Sequence, residues 1–294
     1  MRWTLRILVT LLLLIAIAIV LAWLLLAGSR PQLDGTVSLR GLSAPVTIAR
    51  DPRGTPTLTA RNRNDLAYAL GFLHGQERFF QMDLLRRSAA GELSELVGKA
   101  ALEVDEGHRR HRFRALAEDE LAQLPAAQRA LIHVYTQGVN AGLHSLDVRP
   151  WEYLLLRAHP RKWSDEDCIL AIDAMFLDLN QDGANTRELN IARLRAVLPK
   201  PLSDFLLAPD PLWQAPLRGG ADVPAAMPDA QVFDVRRLGR DGNAMARGVA
   251  AIDATDRADG GIGSNGFAVA GALTGGSALL ASDPHLSLRV PDIW

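Results

Sequence analysis

Thiols are almost absent from the chain, which has one cysteine, Cys168, among its 294 residues. A single cysteine can form no disulfide within the chain, so cysteine usage does not identify the redox compartment. Net charge is nearly absent too, at −1 from 32 basic and 33 acidic residues. Nucleic-acid binding needs basic residues concentrated on one face, and here they are scattered. The composition therefore argues against a nucleic-acid surface.

What is present is enough apolar sequence for a core and one long apolar run. Hydrophobic residues make up 48% of the chain, which suits one or two globular domains. The run Ile7–Ala27 is interrupted only by Thr10. As a helix its 21 residues would span about 31 Å, close to the hydrocarbon thickness of a bilayer. Residues 1–30 are therefore predicted to be a membrane anchor or signal segment.

The flanks of this run predict its orientation. Arg2 and Arg6 precede it, which keeps the N-terminus cytoplasmic and places the rest of the chain outside the cytoplasm, on the periplasmic side of an inner membrane. A cleaved signal peptide is the alternative, but its apolar core is usually about 7–15 residues, shorter than this one. The length favours an uncleaved anchor over a secreted form.

The exported part begins with a hairpin signal and continues with helical patterns. Asp51, Pro52 and Gly54 suit the first, second and fourth positions of a type I turn between two β-branched stretches. Apolar spacing after Asn64 predicts one long helix that ends near Gly91. Further helices are predicted over Phe113–Leu124, Pro125–Leu146, Asp165–Leu179 and Asn185–Leu198.

The composition then changes at Ala208. From there to Gly263 the chain is rich in Pro, Gly, Ala and Asp and lacks apolar periodicity, which indicates a spacer. Beyond it, the short apolar runs Phe267–Ala270 and Ala278–Ala281 predict a second hairpin that starts at Ser264. The chain is thus divided into residues 1–30, 31–207, 208–263 and 264–294.

Ser264 follows a run of glycines in the stretch GGIGSNGFAVAG. A nucleophile elbow is disfavoured, because the first glycine of Gly-x-Ser-x-Gly is missing and because an elbow opens a helix, whereas this serine opens a strand. Cleavage of the Gly263–Ser264 bond would instead give the serine a free amino group with a pKa of about 7.7–8.0. That amine could remove the hydroxyl proton, so one residue would supply both nucleophile and base.

Several motifs together resemble the penicillin acylase family of N-terminal-nucleophile hydrolases, which includes acyl-homoserine-lactone and glutaryl-cephalosporin acylases. Ser264-Asn265, FAVAG, Thr274-Gly275-Gly276 and Asp283-Pro284-His285-Leu286 resemble the start of the family's β-subunit. Arg50-Asp51-Pro52-Arg53-Gly54 and GFLHGQERFFQMDLLRRSAAGELSELVG resemble its α-subunit. The expected fold is therefore α+β, an αββα sandwich that is incomplete here and is preceded by a transmembrane helix.

The resemblance implies a precursor that cleaves itself before Ser264, becomes an α/β heterodimer and hydrolyses an N-acyl amide of β-lactam or acyl-homoserine-lactone type through an acyl-enzyme. It implies that His285 lies near Ser264 and helps organise the nucleophile or the substrate network. It also implies that Glu188 is a ligand of a structural Ca²⁺, although a first-turn glutamate favoured by the helix dipole is the alternative. His74 stands in a family motif and is expected to be structural.

The family's oxyanion hole lies further downstream than Trp294, so the resemblance implies a chain truncated early in the β-subunit. The fragment itself is accordingly expected to be inactive. The alternative function is a non-catalytic, membrane-anchored acylase-like fragment or binding module.

Overall fold

The computed structural model describes part of the chain. The described residues are 2–180, 186–208, 219, 225–234 and 263–285. Two compact units divide the chain, Met1–Asp178 and Leu179–Trp294. Each unit is described by itself below. The glycine run before Gly263, most of the predicted spacer, residues 181–185 and residues 286–294 lie outside the described residues.

The first unit is helical apart from one hairpin. Its elements are α1 (Arg2–Gly28), β1 (Thr47–Arg50), β2 (Pro56–Thr59), α2 (Arg63–Glu77), α3 (Phe79–Ala90), α4 (Ser94–Val97), a 3₁₀ turn (Gly98–Ala101), α5 (Leu102–Arg109), α6 (Phe113–Gln123), α7 (Ala126–His144), α8 (Trp151–Leu155) and α9 (Asp167–Asn180). Helix α1 has no buried residue and is long and apolar enough to cross a membrane.

The predicted first hairpin is confirmed. Strands β1 and β2 pair antiparallel, with Arg50 opposite Pro56. The Gly54 amide donates to the Asp51 carbonyl oxygen at 2.9 Å, and the Asp51 carboxylate accepts from the Thr55 amide at 2.8 Å. Gly54 has φ +86°, a conformation that residues with a Cβ adopt rarely. Asp51 and Gly54 therefore stabilise the turn in the way that their positions in the sequence predicted.

The prediction of one long helix from Asn64 to Gly91 is correct at its C-terminal end, because Gly91, just after α3, is left-handed with φ +68°. Its start is shifted, since the N-cap is Asn62, whose side chain accepts from the Asp65 amide, and not Asn64. The helix is broken at Arg78, whose φ of −133° and ψ of 13° leave the helical region. Two helices, α2 and α3, therefore replace the single one.

Helices α2 and α7 pack backbone against backbone. Gly71 and Gly75 on α2 face Gly138 and Gly142 on α7. A Cβ built on any of the four would lie 2.0–2.2 Å from a backbone oxygen of the other helix. Only hydrogen fits in such a space, so the glycines set the distance between the helices.

Two apolar clusters form the core of the first unit. One comprises Phe79, Val139, Leu143, Tyr153 and Trp163. The other comprises Ala89, Ala90, Ala117, Ile169, Leu170 and Ala174. Both clusters combine residues from α3 with residues distant in sequence, so α3 lies at the centre of the unit.

Charged residues of α3 are also buried. Asp83 and Arg86 are fully buried, and the Arg86 Nε donates to an Asp83 oxygen at 2.7 Å. Arg86 also pairs with Asp167 on α9 and donates to the Lys162 carbonyl oxygen at 2.8 Å. The Tyr153 hydroxyl donates to the other Asp83 oxygen at 2.6 Å. These charges are paired and hydrogen-bonded, as buried charges must be.

The second unit contains α10 (Thr186–Val197), α11 (Lys200–Leu207), β3 (Gly263–Val269), a short α12 (Gly271–Thr274) and β4 (Leu279–His285). The predicted second hairpin is confirmed, since β3 and β4 pair antiparallel. Its connection contains the helical turn α12, which the sequence did not suggest. Helix α11 was not predicted either.

The expected fold class is confirmed at the coarser level. The described residues combine helices with two separate two-stranded sheets. The αββα sandwich and the four-part division of the chain stay predictions.

Candidate functional site

Ser264 is the second residue of β3, and the strand register gives its neighbours. Gly263 lies opposite His285, Ser264 opposite Pro284, and Asn265 opposite Asp283. The motif residues Ser264-Asn265 and Asp283-Pro284-His285 are therefore brought together, although about twenty residues separate them in sequence. The hairpin places them at the end where β3 begins.

The register also separates the two predicted catalytic positions by face. Successive positions of a strand alternate between the two faces, and directly opposed positions share a face. Position 264 therefore shares its face with 284, whereas position 285 shares the face of 263. His285 thus stands directly across from the residue that precedes Ser264, at the peptide bond that is expected to break. Its role in organising the nucleophile stays a prediction.

The side chains around Ser264 are exposed. Ser264, Asn265 and Asp283 are all exposed, so a hydroxyl, an amide and a carboxylate lie in one short stretch of the ribbon. Further along the hairpin, Phe267 and Leu280 are 62% and 82% exposed. The exposed hydroxyl of Ser264 therefore lies on a backbone that the strand ladder holds in position.

Asn265 and Asp283 belong to the motifs found in the sequence, but the sequence analysis predicted no role for either of them. Their direct pairing, one position after Ser264, places them together on the face of the hairpin opposite to that of position 264. The signal available in the sequence was the hairpin itself. Counting residues from both sides of the connection would have predicted this register only if the length of α12 had been known.

His74 lies in a structural setting in the first unit. Its Nδ1 is 2.8 Å from the Tyr135 hydroxyl, and the two rings meet edge to face. Burial lowers the pKa of His74, and the negative charge of Glu77 opposes this shift. Glu77 in turn pairs with Arg50 at the end of β1. The two α-subunit-like motifs therefore contact each other through Glu77 and Arg50, and His74 has the hydrogen bond expected of a structural histidine.

Glu188 stands in the first turn of α10 and is exposed. This is the position where the helix dipole favours a carboxylate. Calcium takes six to eight oxygen ligands. Across residues 2–180, 186–208, 219, 225–234 and 263–285, no group of three or more metal-ligating side chains surrounds Glu188 or any other position. The described residues alone do not fit a calcium site, so the role of Glu188 in calcium binding stays a prediction.

Cys168 is enclosed by polar contacts in the first unit. The Trp163 indole donates to its sulfur at 3.3 Å, and the Thr136 hydroxyl lies 4.0 Å away. Burial raises the pKa of the Cys168 thiol to about 11. A thiol with so high a pKa is a poor nucleophile near neutral pH, so Cys168 does not compete with Ser264 as a catalytic candidate.

Comparison with known proteins extends over nearly the whole chain. Residues 45–294 match the family model described as penicillin amidase. A penicillin acylase 2 proenzyme of Pseudomonas sp. is 33% identical over 276 residues, which cover 92% of this chain and 34% of that protein. An acyl-homoserine lactone acylase, QuiP, of Pseudomonas aeruginosa is 31% identical over 278 residues, which cover 91% of this chain and 31% of that protein.

Among solved structures, a thermostable penicillin G acylase from Alcaligenes faecalis gives a TM-score of 0.47 at 24% identity, covering 62% of this chain and 98% of that one. The chain spans about a third of the length of the two curated relatives.

Proposed function

Because the chain belongs to the penicillin amidase family, we propose that it carries the self-cleaving serine of an amidohydrolase. The observation that supports this is the position of Ser264, which is exposed at the start of a paired strand within the matched residues. Catalysis would begin only after the chain has been cut before this residue.

The proposed cut uses the serine hydroxyl. The Ser264 Oγ attacks the Gly263 carbonyl carbon, the peptide C–N bond breaks, and the acyl group moves to oxygen as an ester while the nitrogen gains a proton. Water then hydrolyses the ester, which leaves a carboxyl group on Gly263 and a free amine and hydroxyl on Ser264. The glycine at 263 has no side chain to obstruct this attack.

Turnover would reuse the same oxygen. The free amine of Ser264 takes the hydroxyl proton, and the Oγ attacks the carbonyl carbon of an N-acyl substrate. The amine product leaves with a proton, an acyl ester remains on Ser264, and water releases the acid. Oxyanion stabilisation, which is usually a large part of catalysis, must come from hydrogen-bond donors that face this carbonyl.

The substrate class is proposed from the relatives. One is named for penicillin and the other for acyl-homoserine lactones, and both substrates contain an acyl group on an amide nitrogen. We therefore propose an N-acylated small molecule as substrate and two chains, joined as a heterodimer, as the mature form.

The location is proposed from α1. Its 27 residues are exposed or only partly buried and carry Arg2 and Arg6 at the start, which favours insertion with the first unit outside the cytoplasm. Protease protection tests this: in spheroplasts the body of the chain should be digested without lysis. Digestion only after lysis contradicts the orientation.

Intact mass and N-terminal sequencing test the cut. The protein is expressed from its whole reading frame, and we expect a fragment that begins at Ser264. Ser264→Ala should remain uncut, whereas Ser264→Cys, which retains a nucleophile, should still be cleaved. Ser282→Ala, a change at an exposed serine on the paired strand, is the matched control and should be cut normally. An acylase that remains one chain, or a fragment with another N-terminus, contradicts the proposal. The alternative function, a non-catalytic binding module, would then be favoured.

A further inference from the structure

The C-terminal end of α1 is attached directly to the globular part of the first unit. The Val148 amide donates to the Gly28 carbonyl oxygen at 2.9 Å. A Cβ built on Gly28 would lie 2.7 Å from the Val148 Cγ2. A backbone hydrogen bond and close packing therefore join the helix to the loop before α8. The globular part cannot move far from the end of α1 while these contacts persist.

Helix α8 starts three residues after this attachment and carries an exposed apolar face. Trp151 is 47% exposed and Leu155 is 73% exposed. The two are four residues apart, so they lie on the same side of the helix. Tyr153, between them in sequence, is fully buried and donates to Asp83. This buried tyrosine fixes α8 in place with Trp151 and Leu155 outward.

The charges near this face balance almost completely. Arg30 and Arg157 are exposed. Arg149 is partly buried, and its Nη1 lies 3.3 Å from the His159 Nδ1. The acidic residues of the same stretch are Asp147, which is exposed, and Glu152, which is partly buried. A single excess positive charge does not repel a lipid surface and attracts an anionic one only weakly. Apolar contact, with arginines at its edge, is what the surface offers.

Distances allow this face to reach the depth of the lipid headgroups. The apolar run of α1 matches the hydrocarbon core of about 30 Å, so Gly28 lies near its boundary. The headgroup region adds about 5–8 Å on each side. Three residues span at most about 11 Å, which bounds the distance between the Cα atoms of Val148 and Trp151. Tryptophan is enriched in this region because its ring is apolar and its N–H can face water.

We infer that the face formed by Trp151 and Leu155 lies in the interfacial region of the membrane that α1 crosses, so the partner of this surface is a lipid bilayer. The inference rests on the proposed anchoring by α1 and goes beyond it: the first unit lies on the membrane surface with α8 against it. Trp151 and Leu155 supply the apolar contact, and the arginines lie among the headgroups.

Depth-dependent quenching tests this with the full chain in vesicles of phosphatidylcholine and phosphatidylglycerol. Leu155→Cys is labelled with a thiol-reactive fluorophore, and part of the lipid carries bromine near the headgroup end of the acyl chains. Leu116→Cys is the matched control, since Leu116 on α6 is a leucine with 45% exposure in the same unit. The unsubstituted chain, labelled in parallel, measures any signal from Cys168.

Vesicle flotation separates the two possible failures. We expect the chain to float with the vesicles, the label at 155 to lose most of its fluorescence to brominated lipid, and the label at 116 to retain most of it. A chain that floats but shows equal quenching at the two positions overturns the inference and leaves the anchoring intact. A chain that does not float overturns the anchoring and the inference together.

Discussion

Gly71 on α2 lies so close to Tyr135 on α7 that a Cβ on the glycine would be 2.2 Å from the tyrosine carbonyl oxygen. A backbone oxygen cannot yield as a flexible side chain can. The two helices must separate to admit even one methyl group. The spacing of Gly71 and Gly75, and of Gly138 and Gly142, repeats this contact along the pair.

Gly71→Ala should therefore destabilise the first unit by about 1–3 kcal/mol, the usual cost of overpacking. Gly107→Ala is the control, because Gly107 is also helical but a Cβ there meets nothing within 4 Å. That change should stabilise by about 0.4–1 kcal/mol, since alanine loses less backbone entropy on folding. Urea unfolding of the full chain in detergent measures both. Equal effects of the two changes would contradict the close helix contact.

Asp83 accepts from Arg86, Arg87 and Tyr153, all of them buried. Asp83→Ala removes the carboxylate that Arg86 and Arg87 share and leaves each with one remaining acidic partner, Asp167 and Glu95. We therefore expect a loss of about 3 kcal/mol of unfolding free energy. Asp204→Ala breaks the exposed pair with Lys200 and should cost about 0–1 kcal/mol. The same urea titration distinguishes the two. A small effect at Asp83 would mean that the buried network contributes little to stability.

Asp173 on α9 should make stability depend on pH. Burial, with a smaller contribution from the charge of Glu120, raises the pKa of Asp173 to about 6. Because the folded state then binds the proton more tightly than the unfolded state, this group's contribution to stability falls as the pH rises from about 3.9 to 6.

Asp173→Asn should therefore raise the melting temperature above pH 6 and leave it nearly unchanged below pH 4, as thermal scans at a series of pH values would show. Glu120→Gln is the control. It should narrow the pH range over which stability falls, without removing the pH dependence, because burial still raises the pKa of Asp173. A variant with the same gain at every pH would contradict the raised pKa.

His285 on β4 lies directly opposite Gly263 on β3. The carbonyl carbon of Gly263 is the atom that Ser264 would attack. His285→Ala, made in the whole reading frame, should slow the cut before Ser264 by about tenfold, less than the roughly 10²–10⁴ that a general base contributes. The matched control is His144→Ala, a change at an exposed histidine on α7. Timed mass spectra give the rates. Unchanged cleavage in His285→Ala would remove the residue from the processing step.

Local chemistry explains which elements could be predicted. The Asp51–Gly54 turn depends on a side chain close to the backbone groups that it satisfies, and the stop at Gly91 depends on the backbone freedom of glycine. The Asn62 cap is equally local, although the prediction placed the helix start at Asn64. The hairpin at Ser264 is local as well. These features need no knowledge of tertiary packing.

The rest depends on contacts between distant residues. Arg86 would be expected at the surface from its type, and its partner Asp167 is 81 residues away. The break at Arg78 carries no proline or glycine at the broken position, so no local signal marks it. For the site, the motif residues were found from sequence, but the faces of positions 264 and 285 required the strand register.

The environment of Cys168 would affect how readily its thiol is oxidised in an oxidising compartment. With a pKa of about 11, only about one thiol in ten thousand is ionised at pH 7, and the thiolate is the form that attacks disulfides and oxidants. The indole N–H of Trp163 donates to the sulfur as well. A chain exported with this lone cysteine would thus form mixed disulfides with other proteins only slowly.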